Sequence, residues 1–146
     1  MAGQIALITD STCDIPAEWR ELYDISIVPL TINFGEQTYL DGVDLQAREF
    51  YSLLEHNPQH PTTSQPAASA FLEAYRRAGD KGAERAIVFT ISSAMSGTID
   101  SARSAAQESP IPVEVVDSKN NSMGLGWQVI AAARVRDQGG SYNDIL

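Results

Sequence analysis

Cysteine, histidine and basic side chains are scarce in this chain of 146 residues, and each scarcity removes a class of function. A single cysteine, Cys13, excludes an internal disulfide and any site built from several thiolates. The two histidines, His56 and His60, flank Pro58 and precede Pro61. No regular helix then presents both to one ion, so they read as loop residues and no metal is expected. Lys and Arg number 10 against 19 Asp and Glu, a net charge of −9. The one basic pair, Arg76-Arg77, shares its helix with Glu73, and nucleic acid is not an expected partner. No apolar run reaches the ~20 residues of a membrane span. The N-terminus lacks the basic-then-apolar pattern of a signal peptide, so the expected location is cytoplasmic.

What remains is an ordinary globular composition, 43% hydrophobic and 20% charged. Ile5 to Ile8 is a short continuous apolar run that reads as a strand buried on both faces, giving way to a polar Thr9-Asp10-Ser11-Thr12 loop. Pro16 to Trp19 predicts a short helix with Asp14 as its cap. Ile25 to Phe34 reads as one strand, turning at Gly35 to Gln37 into a short partner at Thr38 to Leu40. Asp44 is placed to cap a helix over Gln46 to Glu55, with Phe50, Leu53 and Leu54 on one face. A third helix carries Phe71, Leu72, Tyr75 and Ala78 at core spacing. Ala86 to Ile91 and Val113 to Val116 are further strands, with a helix from Thr98 to Glu108 between them. A last helix spans Asn121 to Asp137, and Asn143 to Leu146 reads as the start of another. Strands alternating with helices predict an α/β fold, a mostly parallel sheet with helices on both faces.

Ligands of such sheets bind outside the carboxyl ends of the strands. Three strands here end in hydroxyl-rich loops: Asp10-Ser11-Thr12, Ser92 to Thr98, and Asp117-Ser118. The Thr62 to Gln65 segment is expected along the same edge. Within Met95-Ser96-Gly97-Thr98, glycine permits close backbone approach, and the next helix aims free N–H groups and its positive dipole end at the same spot. Ser96 and Thr98 either complete an anion site or cap the helix, and Ser64 before Pro66 carries the same ambiguity. Asp10 and Asp117 read as general-base candidates or as carboxylates bonded to nearby backbone. No nucleophile elbow, P-loop or dinucleotide fingerprint is present.

Taken in order, Asp10-Ser11-Thr12-Cys13-Asp14-Ile15-Pro16, Thr63-Ser64-Gln65-Pro66, Ile91 to Thr98 and Val116-Asp117-Ser118 resemble the motifs of the DegV family. Val28-Pro29-Leu30 and Asp41-Gly42 fall in the same order, Met95 replaces the usual Leu, and the resemblance covers essentially the whole chain. It implies an EDD-type fold, shared with a dihydroxyacetone-kinase domain and a sugar-transport phosphotransferase domain. It implies a bound long-chain fatty acid, no other cofactor, and no catalysis by the chain itself. Thr63 and Ser96 would hold the carboxylate, with Ser64, Gly97 and Thr98 beside them. Asp10, Ser11, Thr12, Ser93, Asp117 and Ser118 would form the surrounding layer. The partner implied is a separate ATP-dependent fatty acid kinase. The resemblance further implies that residues 1–146 are the N-terminal, fatty-acid-binding domain of a longer protein, ending before or within the start of a second domain. The apolar tunnel for the tail is expected near Phe34, Phe71 or Ile99. Two competing functions are a phosphotransfer or hydrolase enzyme using Asp10, and a regulatory domain that binds only protein.

Overall fold

In chain order the computed structural model, which describes residues 4–146, opens with β1 (Ile5–Asp10), a 3-10 turn (Ser11–Cys13), α1 (Ala17–Leu22) and β2 (Ile25–Val28). Then come β3 (Thr31–Phe34), β4 (Gln37–Leu40), α2 (Ala47–His56), β5 (Thr62–Ser64) and α3 (Ala68–Asp80). The remainder is β6 (Arg85–Thr90), α4 (Thr98–Ala106), β7 (Val113–Asp117), α5 (Ser122–Asp137) and α6 (Tyr142–Ile145).

Strand β1 decides the layering. Ile5 and Leu7 face one side, where they pack with Ile87, Phe89, Leu125 and Val129; Ile8 faces the other, with Val88, Phe71, Tyr75 and Ala102. A strand that is apolar on both faces must be covered on both. Helices α1, α5 and α6 supply one cover and α3 and α4 the other. The four strands run in the order β2-β1-β6-β7, and all are parallel, as the alternation of elements predicts.

Residues 31–64 form a separate layer. Strands β4-β3-β5 are antiparallel, and Ile32, Phe34 and Leu45 make a small core with Tyr39, Phe50 and Leu53. The β strands of this insert make their extensive contacts with one another. Two bonds hold its entry, Leu30 N–H to Ser11 Oγ at 3.0 Å and Asp41 N–H to the Leu30 carbonyl at 2.9 Å.

Several expectations are corrected here. The Thr9-Asp10 pair belongs to β1 rather than to the loop, because both pair with β2. The expected single strand over Ile25 to Phe34 is two strands in different sheets, since Pro29 has no N–H to extend the ladder. Asp14 does not cap α1; it adopts a left-handed conformation, φ 52°, and accepts from Ser122 Oγ at 2.6 Å. Asp44 accepts from Leu40 N–H at 2.9 Å, and α2 is capped by a Gln46–Glu49 capping box. Leu54 leaves the apolar face of α2 at 39% exposure. Residues 62–64 were expected to lead directly into a helix, but they form a strand paired to β3, and Ser64 is not the cap of α3.

Candidate functional site

From β1 the chain passes to β2 on one side, then re-enters the sheet at β6 on the other side of β1. The strand order therefore reverses between β1 and β6, which is where doubly wound sheets leave a crevice outside their carboxyl ends. The loop after β1 and the loop after β6 flank that crevice. Helix α4 begins where the second loop ends.

Both loops are fixed by their own side chains. Asp10 is fully buried; its Oδ1 accepts from Thr12 N–H at 2.9 Å and Thr12 Oγ1 at 2.5 Å, and its Oδ2 from Ile91 N–H at 2.7 Å. The carboxylate thus ties the end of β1 to the end of β6. Burial raises its pKa above the ordinary value, and the bonds from Thr12 and Ile91 only partly oppose this. Both oxygens are engaged, so the geometry offers no free base or nucleophile. Ser11 is spent on Leu30. Ser118 Oγ donates to the Asn120 carbonyl at 3.2 Å and accepts from Asn120 N–H at 3.1 Å.

Asp117 plays the matching part after β7. It accepts from Ser93 Oγ at 2.5 Å, Ser93 N–H at 3.2 Å and Lys119 N–H at 2.9 Å. The Ser93 hydroxyl, followed by the Lys119 N–H, holds its carboxyl below the ordinary range. A depressed folded pKa contributes stability that is present above the ordinary value and lost as pH falls through the depressed one. Asp10 acts in the opposite sense: its contribution is present below the ordinary value and fades as pH rises through the raised one. Asp117→Asn is therefore expected to flatten the acid limb of the stability profile below roughly pH 4. Urea midpoints measured from pH 2 to 6 check this, and wild type and variant running parallel over that range would refute it.

The hydroxyls at the start of α4 are arranged differently. Thr98 is fully buried, its Oγ1 lies 2.8 Å from Ser96 Oγ, and its N–H donates to Ser96 Oγ at 3.2 Å. Gly97 occupies the cap position and makes no side-chain bond, so Ser96 takes up only the first N–H of the helix. Ser96 therefore covers one helix N–H, although Gly97 and not Ser96 is the cap residue. Thr63 and Ser64 stand on β5. Thr63 pairs with Ile32 and is exposed; Ser64 Oγ accepts from Asn33 Nδ2 at 3.1 Å. Next along the chain, Gln65 Nε2 donates to Ser101 Oγ on α4 at 3.1 Å, and Gln65 Oε1 fills the space a Cβ at Gly97 would occupy. The insert and the α4 N-terminus are thereby joined. Neither Gln65 nor Asn33 was singled out from the sequence; Gln65 sat in a quoted motif, and Asn33 carried no signal.

Two further polar groups lie at the strand ends. Thr9 and Thr90 are fully buried, and their hydroxyls have no partner among the described residues. Of the side chains expected near a tail, Phe34, Phe71 and Ile99 are all buried; Phe71 packs with Tyr75 at 6.2 Å and Phe34 with Phe50 at 5.8 Å. A cleft of about 840 Å³ opens at the opposite, amino-terminal edge of the sheet, lined by Gln4, Tyr23, Lys81 and Arg136. Two of its three cations are engaged: Arg136 Nη2 donates to the Tyr23 carbonyl at 2.6 Å, and Lys81 lies 3.7 Å from Asp24, while Arg77 also lines it. The carboxyl ends of α3 and α5 also border it, so it is the wrong end for an anion. Among the described residues no group of three or more His, Cys, Asp or Glu is placed to hold a metal, and no helix is long and apolar enough to cross a membrane.

Known proteins share this fold. A DegV domain-containing protein of Clostridium perfringens is 40% identical over 143 residues, 97% of this chain and 51% of that protein. The solved structure of DegV from Bacillus subtilis, described as a fatty acid binding protein, superposes with a TM-score of 0.91 at 33% identity, covering 99% of this chain and 51% of that one. A stearic-acid-binding protein from Eubacterium ventriosum superposes with a TM-score of 0.90 at 30% identity, covering 97% and 50%. The chain therefore spans about half the length of the relatives it matches. The family model described as "Uncharacterised protein, DegV family" matches residues 4–146. By sequence and fold, this chain belongs to the DegV family.

Proposed function

We propose that this chain binds a long-chain fatty acid at the crevice between β1 and β6, and presents it to a separate ATP-dependent fatty acid kinase. The carboxylate is held by Thr63 and Ser96, with Ser64, Gly97, Thr98 and the first-turn N–H groups of α4 around them. The observation that carries this reading is the junction of β5 with the α4 N-terminus. It brings the Thr63 and Ser96 segments to one corner, in a family whose solved members include fatty acid binding proteins.

The chemistry is consistent. Burying about a dozen methylenes at ~0.8 kcal/mol each gives a gross drive on the order of 10 kcal/mol. The carboxylate resists burial unless several donors meet it, and hydroxyls with helix N–H groups do so without a counter-cation. A cradle without a salt bridge leaves a carboxylate oxygen open to a phosphoryl donor. Met95, 60% exposed beside Ser96, offers apolar contact at the rim. Because Asp10 is fully bonded and buried, a hydrolase or phosphotransfer mechanism through it is the weaker reading.

Lipid extraction and mass spectrometry of the protein purified from bacteria test the proposal. About one equivalent of long-chain fatty acid is expected. Lipid-free protein that also fails to bind added oleate would overturn it.

A further inference from the structure

The insert of residues 31–64 carries Thr63, whereas Ser96 stands on the main body, and Gln65 bridges from the end of the insert to α4. Its Nε2 donates to Ser101 Oγ, one turn into α4, across 36 positions of sequence. Its Oε1 rests in the notch left by Gly97, whose φ of −79° is open to any residue. A Cβ at Gly97 would overlap the Gln65 amide and push the far end of that side chain out of the notch. Ser101 is 8% exposed and sits inside the helix, away from the rim.

We infer that Gln65 is a positioning residue: its bond to Ser101 latches the insert to α4 and so holds Thr63 in register with Ser96. The inference rests on the fatty-acid reading above and adds to it the group that sets the spacing of the two ligand-binding hydroxyls. Gln65 touches no ligand in this scheme. It acts by removing the freedom of a layer whose contacts are mainly internal, which lowers the ordering cost of binding.

The test uses Gln65→Leu, which keeps the volume and loses the bond, Ser101→Ala, and the double variant. Two readouts are taken on the full chain. Amide hydrogen exchange at Thr62 to Ser64 is measured without ligand, and oleate affinity by titration. One neutral hydrogen bond corresponds to about a fivefold change. Each single variant is expected to speed exchange in β5 and weaken oleate by about that factor. The double variant is expected to be no worse than either single, because both remove the same bond. A purely structural role would instead lower melting temperature in step with affinity and leave the two changes additive. Unchanged exchange in Gln65→Leu overturns the latch. Faster exchange with unchanged oleate affinity, while Thr63→Ala still weakens binding, overturns the positioning role and leaves the binding reading standing. Wild type that binds no oleate sinks the binding reading and this role together.

Discussion

Replacing Thr63 and Ser96 together by alanine is expected to reduce fatty acid affinity by at least about a hundredfold. Hydrogen bonds to a charged group contribute roughly 1.5–3 kcal/mol each, and every 1.4 kcal/mol is a factor of ten. The loss should exceed that of either single change, because each single variant keeps one hydroxyl on the carboxylate. Thr63 is exposed on β5 and Ser96 half-buried, so neither substitution opens a cavity in the two main cores. Melting temperature should move by a few degrees at most. Titration of oleate into delipidated protein checks this. Wild-type affinity in the double variant would place the carboxylate elsewhere.

Asp10→Ala should do the reverse, lowering stability far more than it alters any surface chemistry. The carboxylate is the acceptor for Ile91 N–H and Thr12 N–H at the two ends it joins. Its loss leaves the buried Ile91 N–H and the part-buried Thr12 N–H without a partner at about 1–3 kcal/mol each, about 3 kcal/mol in all. Relief of the desolvated charge, evident in the raised pKa, offsets part of this. For a domain of this size the corresponding fall in melting temperature is roughly 6–12 °C. Asp10→Asn rescues only part, since its amide group would meet an N–H donor on one side. Differential scanning calorimetry of both variants decides it. If phosphate release from generic substrates vanished in Asp10→Asn while the melting temperature held, Asp10 would be catalytic and not a tie.

The α/β class and the parallel sheet were legible in the alternation of apolar runs with helical spacing, and the site segments in their hydroxyl-rich loops. What escaped has physical causes. Residues 62–64 are three exposed polar residues with no hydrophobic rhythm, so only their partner β3 makes them a strand. The break at Pro29 was visible as a residue without an N–H, but the β-branched run around it suggested continuity. Asp14 offered a capping side chain, yet its left-handed backbone turns it toward Ser122, 108 positions away. Gln65 reaches a partner 36 positions distant, and no local pattern encodes such a reach. Local chemistry announced itself; long-range hydrogen bonds did not.

The sheet order also bears on how the chain reaches its native state. Strands β6 and β7 with α4 between them form a local unit that can assemble early. The β1–β6 pairing, however, joins residues 80 positions apart, such as Ile5 and Arg85. That closure is entropically slow, but its penalty grows only with the logarithm of the intervening length. The insert softens it further. Its ends meet, since β5 pairs beside β3, so once folded it shortens the effective loop that β1 and β6 must close. The layer that carries Thr63 thereby shortens the loop that pairing of the central strands must close.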